Sequence, residues 1–160
     1  MRTIAKALVA AVLLAPLVGL AQAAGEEDKR PWQAEGNRAA VATEHILASE
    51  AALSVLRDGG NAVDAAVAAS LAIAVVNPSS AGLGGGGFML VFVAAEGRVH
   101  ALDYRETAPR RASRDMYTPG GAYHAQTSLY GGKAVAVPGE VAGLEAALER
   151  FGSRSFEKVA

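Results

Sequence analysis

No cysteine occurs in the 160 residues. That excludes a disulfide framework, a thiol nucleophile and any cysteine-built zinc site, so packing alone must hold the fold. Aromatic residues are scarce too, at 6% with a single tryptophan. A chain rich instead in alanine and glycine builds thin helices that pack closely. Histidine stands only at positions 45, 100 and 124, never in the His-x-x-x-His spacing, which argues against a metal site. Neither sign of charge is in excess, with 15 basic and 16 acidic side chains, so the basic surplus that nucleic acid or an anionic membrane requires is missing. No apolar run reaches the roughly 20 residues that cross a bilayer as a helix.

What is present begins at the first residues. Arg2 and Lys6 make a short basic start, residues 7–20 are uncharged and largely apolar, and Ala21-Gln22-Ala23 supplies the small-x-small pattern of a signal-peptidase site. These features predict a signal peptide over 1–23, removed on export to the periplasm or the medium. Its loss takes two basic groups and leaves 13 basic against 16 acidic side chains, a net charge near −3. About half the chain is apolar and 19% is charged, the balance of a folded protein.

Residues 24–37 are polar and read as a flexible entry segment. Residues 38–43 (RAAVAT) are expected as a first short strand. A helix follows over 48–58, with Ala51, Ala52, Val55 and Leu56 on one face and Gly59-Gly60 as a left-handed stop. Asn61 is placed to cap a second helix over 62–76, with Asp64 near the positive end of its dipole. That helix is apolar all round except at Asp64 and Ser70, the pattern of a helix buried in protein. Pro78 stops it. The apolar run 88–93 predicts a strand covered on both faces, paired as a hairpin with a strand over 98–104. Residues 110–132 read as mostly loop and 133–137 as a short strand. An amphipathic helix spans 140–151, with Val141, Leu144, Leu148 and Phe151 on one stripe and Gly152 as its stop. Another helix starts at 155.

Gly82-x-Gly84-x-x-Gly87 matches the dinucleotide fingerprint by letter. That fingerprint needs a strand before it and a helix after it; here the order is reversed. The glycines are read instead as permitting unusual backbone angles or a close approach of helix and sheet. Ser79 and Ser80 lack the Gly-x-Ser-x-Gly elbow. Arg105 sits where a strand runs out into a loop, a common place for binding groups. Its guanidinium suits a carboxylate held by two parallel hydrogen bonds, or it is a surface arginine paired with Glu106 or Asp103. Arg110, Arg111 and Arg114 read as a solvated face.

Four segments taken together resemble one family. They are Gly59-Gly60-Asn61-Ala62-Val63-Asp64-Ala65-Ala66, Gly82-Leu83-Gly84-Gly85-Gly86-Gly87-Phe88-Met89-Leu90, Asp103-Tyr104-Arg105-Glu106-Thr107-Ala108-Pro109, and Val137-Pro138-Gly139 with Val141-Ala142-Gly143. In this order they are similar to the signatures of the γ-glutamyltransferases (glutathione hydrolases), over residues 38–160. The resemblance implies an α+β fold, the αββα sandwich of the N-terminal nucleophile hydrolases, with only its N-terminal portion present and truncated at the C-terminus. It implies a precursor that cleaves itself into large and small subunits and frees an N-terminal threonine, whose amine is its own base. That threonine attacks the γ-glutamyl carbonyl of glutathione, and water or an amino acid takes the acyl group. No metal and no organic cofactor is implied.

Of that site, Arg105 matches the arginine that binds the α-carboxylate of the γ-glutamyl group, and Glu106 its neighbouring support. The remaining groups belong to later sequence and a partner small subunit. None of Thr43, Thr107, Thr118 and Thr127 lies in a Thr-Thr-His processing motif, so no catalytic residue is expected here and the segment alone is expected to be inactive. Two other expectations stay open: a non-catalytic exported binding module on the same scaffold, and a family acylase or capsule depolymerase.

Overall fold

The computed structural model describes residues 33–160. The signal peptide expected over 1–23 and most of the entry segment expected over 24–37 lie outside the described residues. Residues Ala39–Ala160 form one compact unit of helices packed on a two-stranded hairpin. In chain order the main elements are α1 (Ile46–Arg57), α2 (Ala62–Val76), β1 (Phe88–Val93), β2 (Arg98–Asp103), α3 (Ala125–Leu129), α4 (Glu140–Phe151) and α5 (Phe156–Val159).

Local chemistry sets the helix ends. Gly59, at φ 83°, turns the chain out of α1 in the left-handed region, where a Cβ is costly. Asn61 then opens α2 with a reciprocal cap. Its Oδ1 accepts from the Val63 and Asp64 N–H groups at 2.9 and 3.0 Å, and Asp64 Oδ2 accepts from the Asn61 N–H at 2.7 Å. Small side chains bring α1 and α2 together: Ala52 packs with Ala65 and Ala69, and all three are buried.

β1 and β2 pair antiparallel from Phe88 opposite Asp103 to Val93 opposite Arg98. One face of this hairpin meets α2 and α4. Val63, Leu102 and Ala147 are buried there with Met89 and Val91 against them, beside a second cluster of Val67, Ala68, Leu144, Leu148 and Val159.

Four expectations need correction. Residues 38–43 form no strand. Thr43 Oγ1 instead donates to the His45 carbonyl at 2.8 Å and bonds Ser49 Oγ at 2.7 Å, spending the segment on the start of α1. Residues 133–137 contribute only an isolated bridge, Thr107 to Val137. β1 is not covered on both faces among the described residues: Phe88, Leu90 and Phe92 are 63–73% exposed. The alternation of the pleat sends Met89 and Val91 to the helices and these three to the other side. Likewise α2 is buried through its first half, at Val63–Ala65 and Val67–Ala69, while Val75 is exposed.

Helix α4 lies close to the chain leaving β2 because it carries Gly143 at the contact. A Cβ there would overlap the Tyr104 ring. Gly143→Ala is therefore expected to destabilise the protein by about 1–3 kcal/mol. Denaturant unfolding of wild type and variant checks this; equal midpoints would show that Tyr104 can swing clear.

Candidate functional site

The glycine-rich segment after α2, the chain leaving β2 and the start of α4 converge on one cleft. Its volume is about 470 Å³, and its walls are residues 78–82 and 84–86 with Arg105, Glu106 and Glu140. None of Gly82–Gly87 has a positive φ, so unusual backbone angles are not their use. Close approach is. A Cβ on Gly86 would collide with the Tyr104 carbonyl and lie 2.9 Å from the Glu106 nitrogen.

Backbone hydrogen bonds fasten the three walls. Tyr104 N–H donates to the Gly87 carbonyl at 3.0 Å, carrying the hairpin pairing one residue beyond β2. The N–H groups of Gly139 and Glu140 both donate to the Gly85 carbonyl, at 2.9 and 3.0 Å. The Thr107–Val137 pair closes the far side, with N–H···O distances of 3.1 and 2.9 Å.

Arg105 and Glu106 are brought together as the spacing allowed. Arg105 Nε lies 3.1 Å from Glu106 Oε2, with the arginine side chain 58% exposed and the glutamate 25%. The guanidinium carbon sits 5.9 Å from the centre of the Phe88 ring, within cation–π range. Asp103 does not take the guanidinium; its Oδ1 accepts the Arg105 backbone N–H at 3.1 Å. Arg110, Arg111 and Arg114 are exposed and line no part of this cleft.

Glu140 was legible in the sequence only as the first residue of a helix, and it is a third charged wall of the cleft. Burial, and then the Glu106 charge, push its carboxyl up from the usual range. Burial and the Glu140 charge likewise raise the Tyr104 hydroxyl. The only sequence signal for Glu140 was its place directly after Pro138-Gly139, where a helix must start against whatever the glycine touches. No cluster of three histidine or acidic side chains suited to a metal occurs among the described residues, and none of their helices is long and apolar enough to cross a membrane.

The cleft is thus an open recess walled by the glycine-rich segment with one guanidinium and two carboxyls, and its guanidinium suits a small molecule that carries a carboxylate. Known proteins resemble this chain in sequence and fold. The chain is 45% identical over 127 residues to glutathione hydrolase proenzyme 1 of Schizosaccharomyces pombe, covering 78% of this chain and 19% of that one. Its fold matches the crystal structure of Helicobacter pylori gamma-glutamyltranspeptidase with a TM-score of 0.75 and 40% identity, covering 79% of this chain and 36% of that one. The enzyme from Pseudomonas nitroreducens, complexed with L-DON, gives 0.72 and 41% over 78% of this chain and 37% of its own. The chain spans about a fifth of the length of the curated relatives it matches. The Gamma-glutamyltranspeptidase family model covers residues 48–160, more than two thirds of the sequence, and the chain belongs to that family.

Proposed function

We propose that this chain supplies the α-carboxylate wall of an exported γ-glutamyltranspeptidase that acts on glutathione or a related γ-glutamyl compound. The observation that carries the reading is Arg105. It lines the cleft where the chain leaves β2, on backbone tied to the glycine loop through Tyr104 and Gly87 and to Val137 through Thr107. Glu106 holds the Nε edge of the guanidinium. That contact uses Nε and leaves the terminal amino groups for a ligand carboxylate, in the two-pronged geometry an ammonium cannot reproduce.

The acyl chemistry follows from the family resemblance. A threonine hydroxyl from outside this chain adds to the γ-carbonyl and loses its proton to its own α-amine. The Cys-Gly amine takes that proton and departs. Water or an amino-acid amine then breaks the ester and frees glutamate or a new γ-glutamyl amide. Arg105 takes no part in bond making; it fixes the α-carboxylate so that the γ-carbonyl meets the nucleophile.

Expressing the gene through its whole reading frame, leader included, tests the proposal in one preparation. The expected result is turnover of a γ-glutamyl anilide in the periplasmic or culture fraction, by a protein whose mass places its N-terminus near Ala24. Turnover absent from a folded, self-cleaved product would remove the catalytic reading. Activity held at the inner membrane on a protein that keeps Met1 would remove the export reading.

A further inference from the structure

We propose that Glu140 is a positioning residue of this cleft, setting the charge that an incoming α-carboxylate meets on its way to Arg105 and so making substrate affinity depend on pH. The inference rests on Arg105 being the carboxylate anchor.

Geometry comes first. Glu140 is the first residue of α4, and its N–H and that of Gly139 are both tied to the Gly85 carbonyl. A Cβ on Gly139 would collide with the Tyr104 carbonyl, so the glycine is what lets α4 begin this close to the chain that carries Arg105 and Glu106. Glu140 is half-buried and shares the walls of one cleft with both of them. The charged or titratable groups facing it are Arg105, Glu106 and Tyr104 on the segment leaving β2. The wall formed by residues 78–86 contributes none.

With both carboxylates ionised the cleft carries one net negative charge. With Glu140 protonated it carries none. The burial of Glu140 and the charge of Glu106 favour the protonated form, so this change falls above the ordinary glutamate range. The sign is then fixed. Below the Glu140 transition the cleft is neutral and a carboxylate binds well. As pH rises through it, a negative charge appears beside the ligand and affinity falls. The ligand's own α-carboxyl and α-amine titrate below and above that window. A unit charge several ångströms away, partly screened by water, changes affinity by about three- to tenfold. Reciprocally, a bound carboxylate makes Glu140 harder to ionise.

The test is steady-state kinetics of the full-length, processed enzyme on a γ-glutamyl anilide from acid to neutral pH. Wild type, Glu140→Gln, Glu140→Asp and Arg105→Gln are compared. In wild type KM should rise about three- to tenfold across the range. Glu140→Gln should hold KM near its acid value throughout, with the effect in KM and not in kcat. Glu140→Asp, which keeps a titrating carboxyl, should restore the rise. A loss of structure alone would lower kcat and would not flatten the KM profile.

If Glu140→Gln follows the wild-type profile while Arg105→Gln is impaired, the inference fails and the Arg105 reading stands. If Arg105→Gln matches an active wild type, both fail. A wild-type KM that is flat over the range overturns the inference without any variant.

Discussion

Replacing Arg105 with glutamine in the full-length, processed enzyme should lower kcat/KM by about a hundredfold or more. The substitution leaves the substrate carboxylate without its partner. Breaking such a charge pair costs about 3–5 kcal/mol when it is desolvated, and each factor of ten corresponds to about 1.4 kcal/mol. The guanidinium is 58% exposed, which places the expectation at the lower end. Arg105→Lys should recover only part, because a point charge cannot match a carboxylate edge to edge. Self-cleavage into two subunits should persist in both variants, since it does not involve the substrate. Were Arg105 only a surface partner of Glu106, stability would change by no more than about 1 kcal/mol and kinetics hardly at all. Kinetics on a γ-glutamyl anilide, beside a gel for processing, separates the two outcomes.

Asp64→Ala should cost about 3–4 kcal/mol of folding stability, an effect fixed by hydrogen bonding and independent of catalysis. Asp64 is fully buried. Its oxygens accept from the Asn61 N–H at 2.7 Å, the Ser153 N–H at 2.9 Å, the Ser153 hydroxyl at 2.5 Å and the Arg154 N–H at 3.2 Å. Removing the carboxylate leaves these part-buried donors without their acceptor. Burial pulls its carboxyl up, but the hydrogen bonds from Ser153, Asn61 and Arg154 together outweigh burial and leave it below the ordinary value.

The folded pKa is thus lower than the unfolded one. The stability this group contributes is complete above the unfolded value, about 3.9, and is lost as pH falls through the folded value. Wild type and Asp64→Asn should therefore differ most near neutrality and converge in acid. Denaturant melts at both ends of that range check it; a gap that stays constant with pH would show that the ionised carboxylate is not what matters.

Elements whose signals are local could be read directly. Helix α2 starts and ends where the Asn61–Asp64 cap and the stop before Pro78 put it. Helix α4 runs from Glu140 to Phe151 with Gly152 after it, and β1 spans its apolar run. Misreadings arose where the outcome depends on a distant partner. A strand at 38–43 would need a ladder to join, and Thr43 found a helix end instead. The six apolar residues of β1 carry two apolar faces, yet the helices reach only one of them.

The cleft was legible in part. Arg105 and Glu106 stood out from the strand-to-loop exit and the family-like motif. Their pairing was one of two options, since Asp103 stands two positions before Arg105 and Glu106 one after it, and only the fold decides between the carboxylates. Glu140 joins them because Gly139 and Gly143 allow α4 to press against Tyr104, a contact that crosses some 35 positions and leaves no periodic trace.

The buried carboxylate of α2 also orders events in time. Its partner Ser153 lies 89 positions further along, and the Asn61 side chain donates to the Phe151 carbonyl 90 positions away. A ribosome adding about 5–20 residues per second needs roughly 4–18 s to travel that far. Throughout that interval Asp64 has only the Asn61 N–H of its local cap as a partner, and α2 leans on α1 alone. The first two helices are therefore a provisional unit during synthesis, closed only when the end of α4 emerges and Ser153 docks.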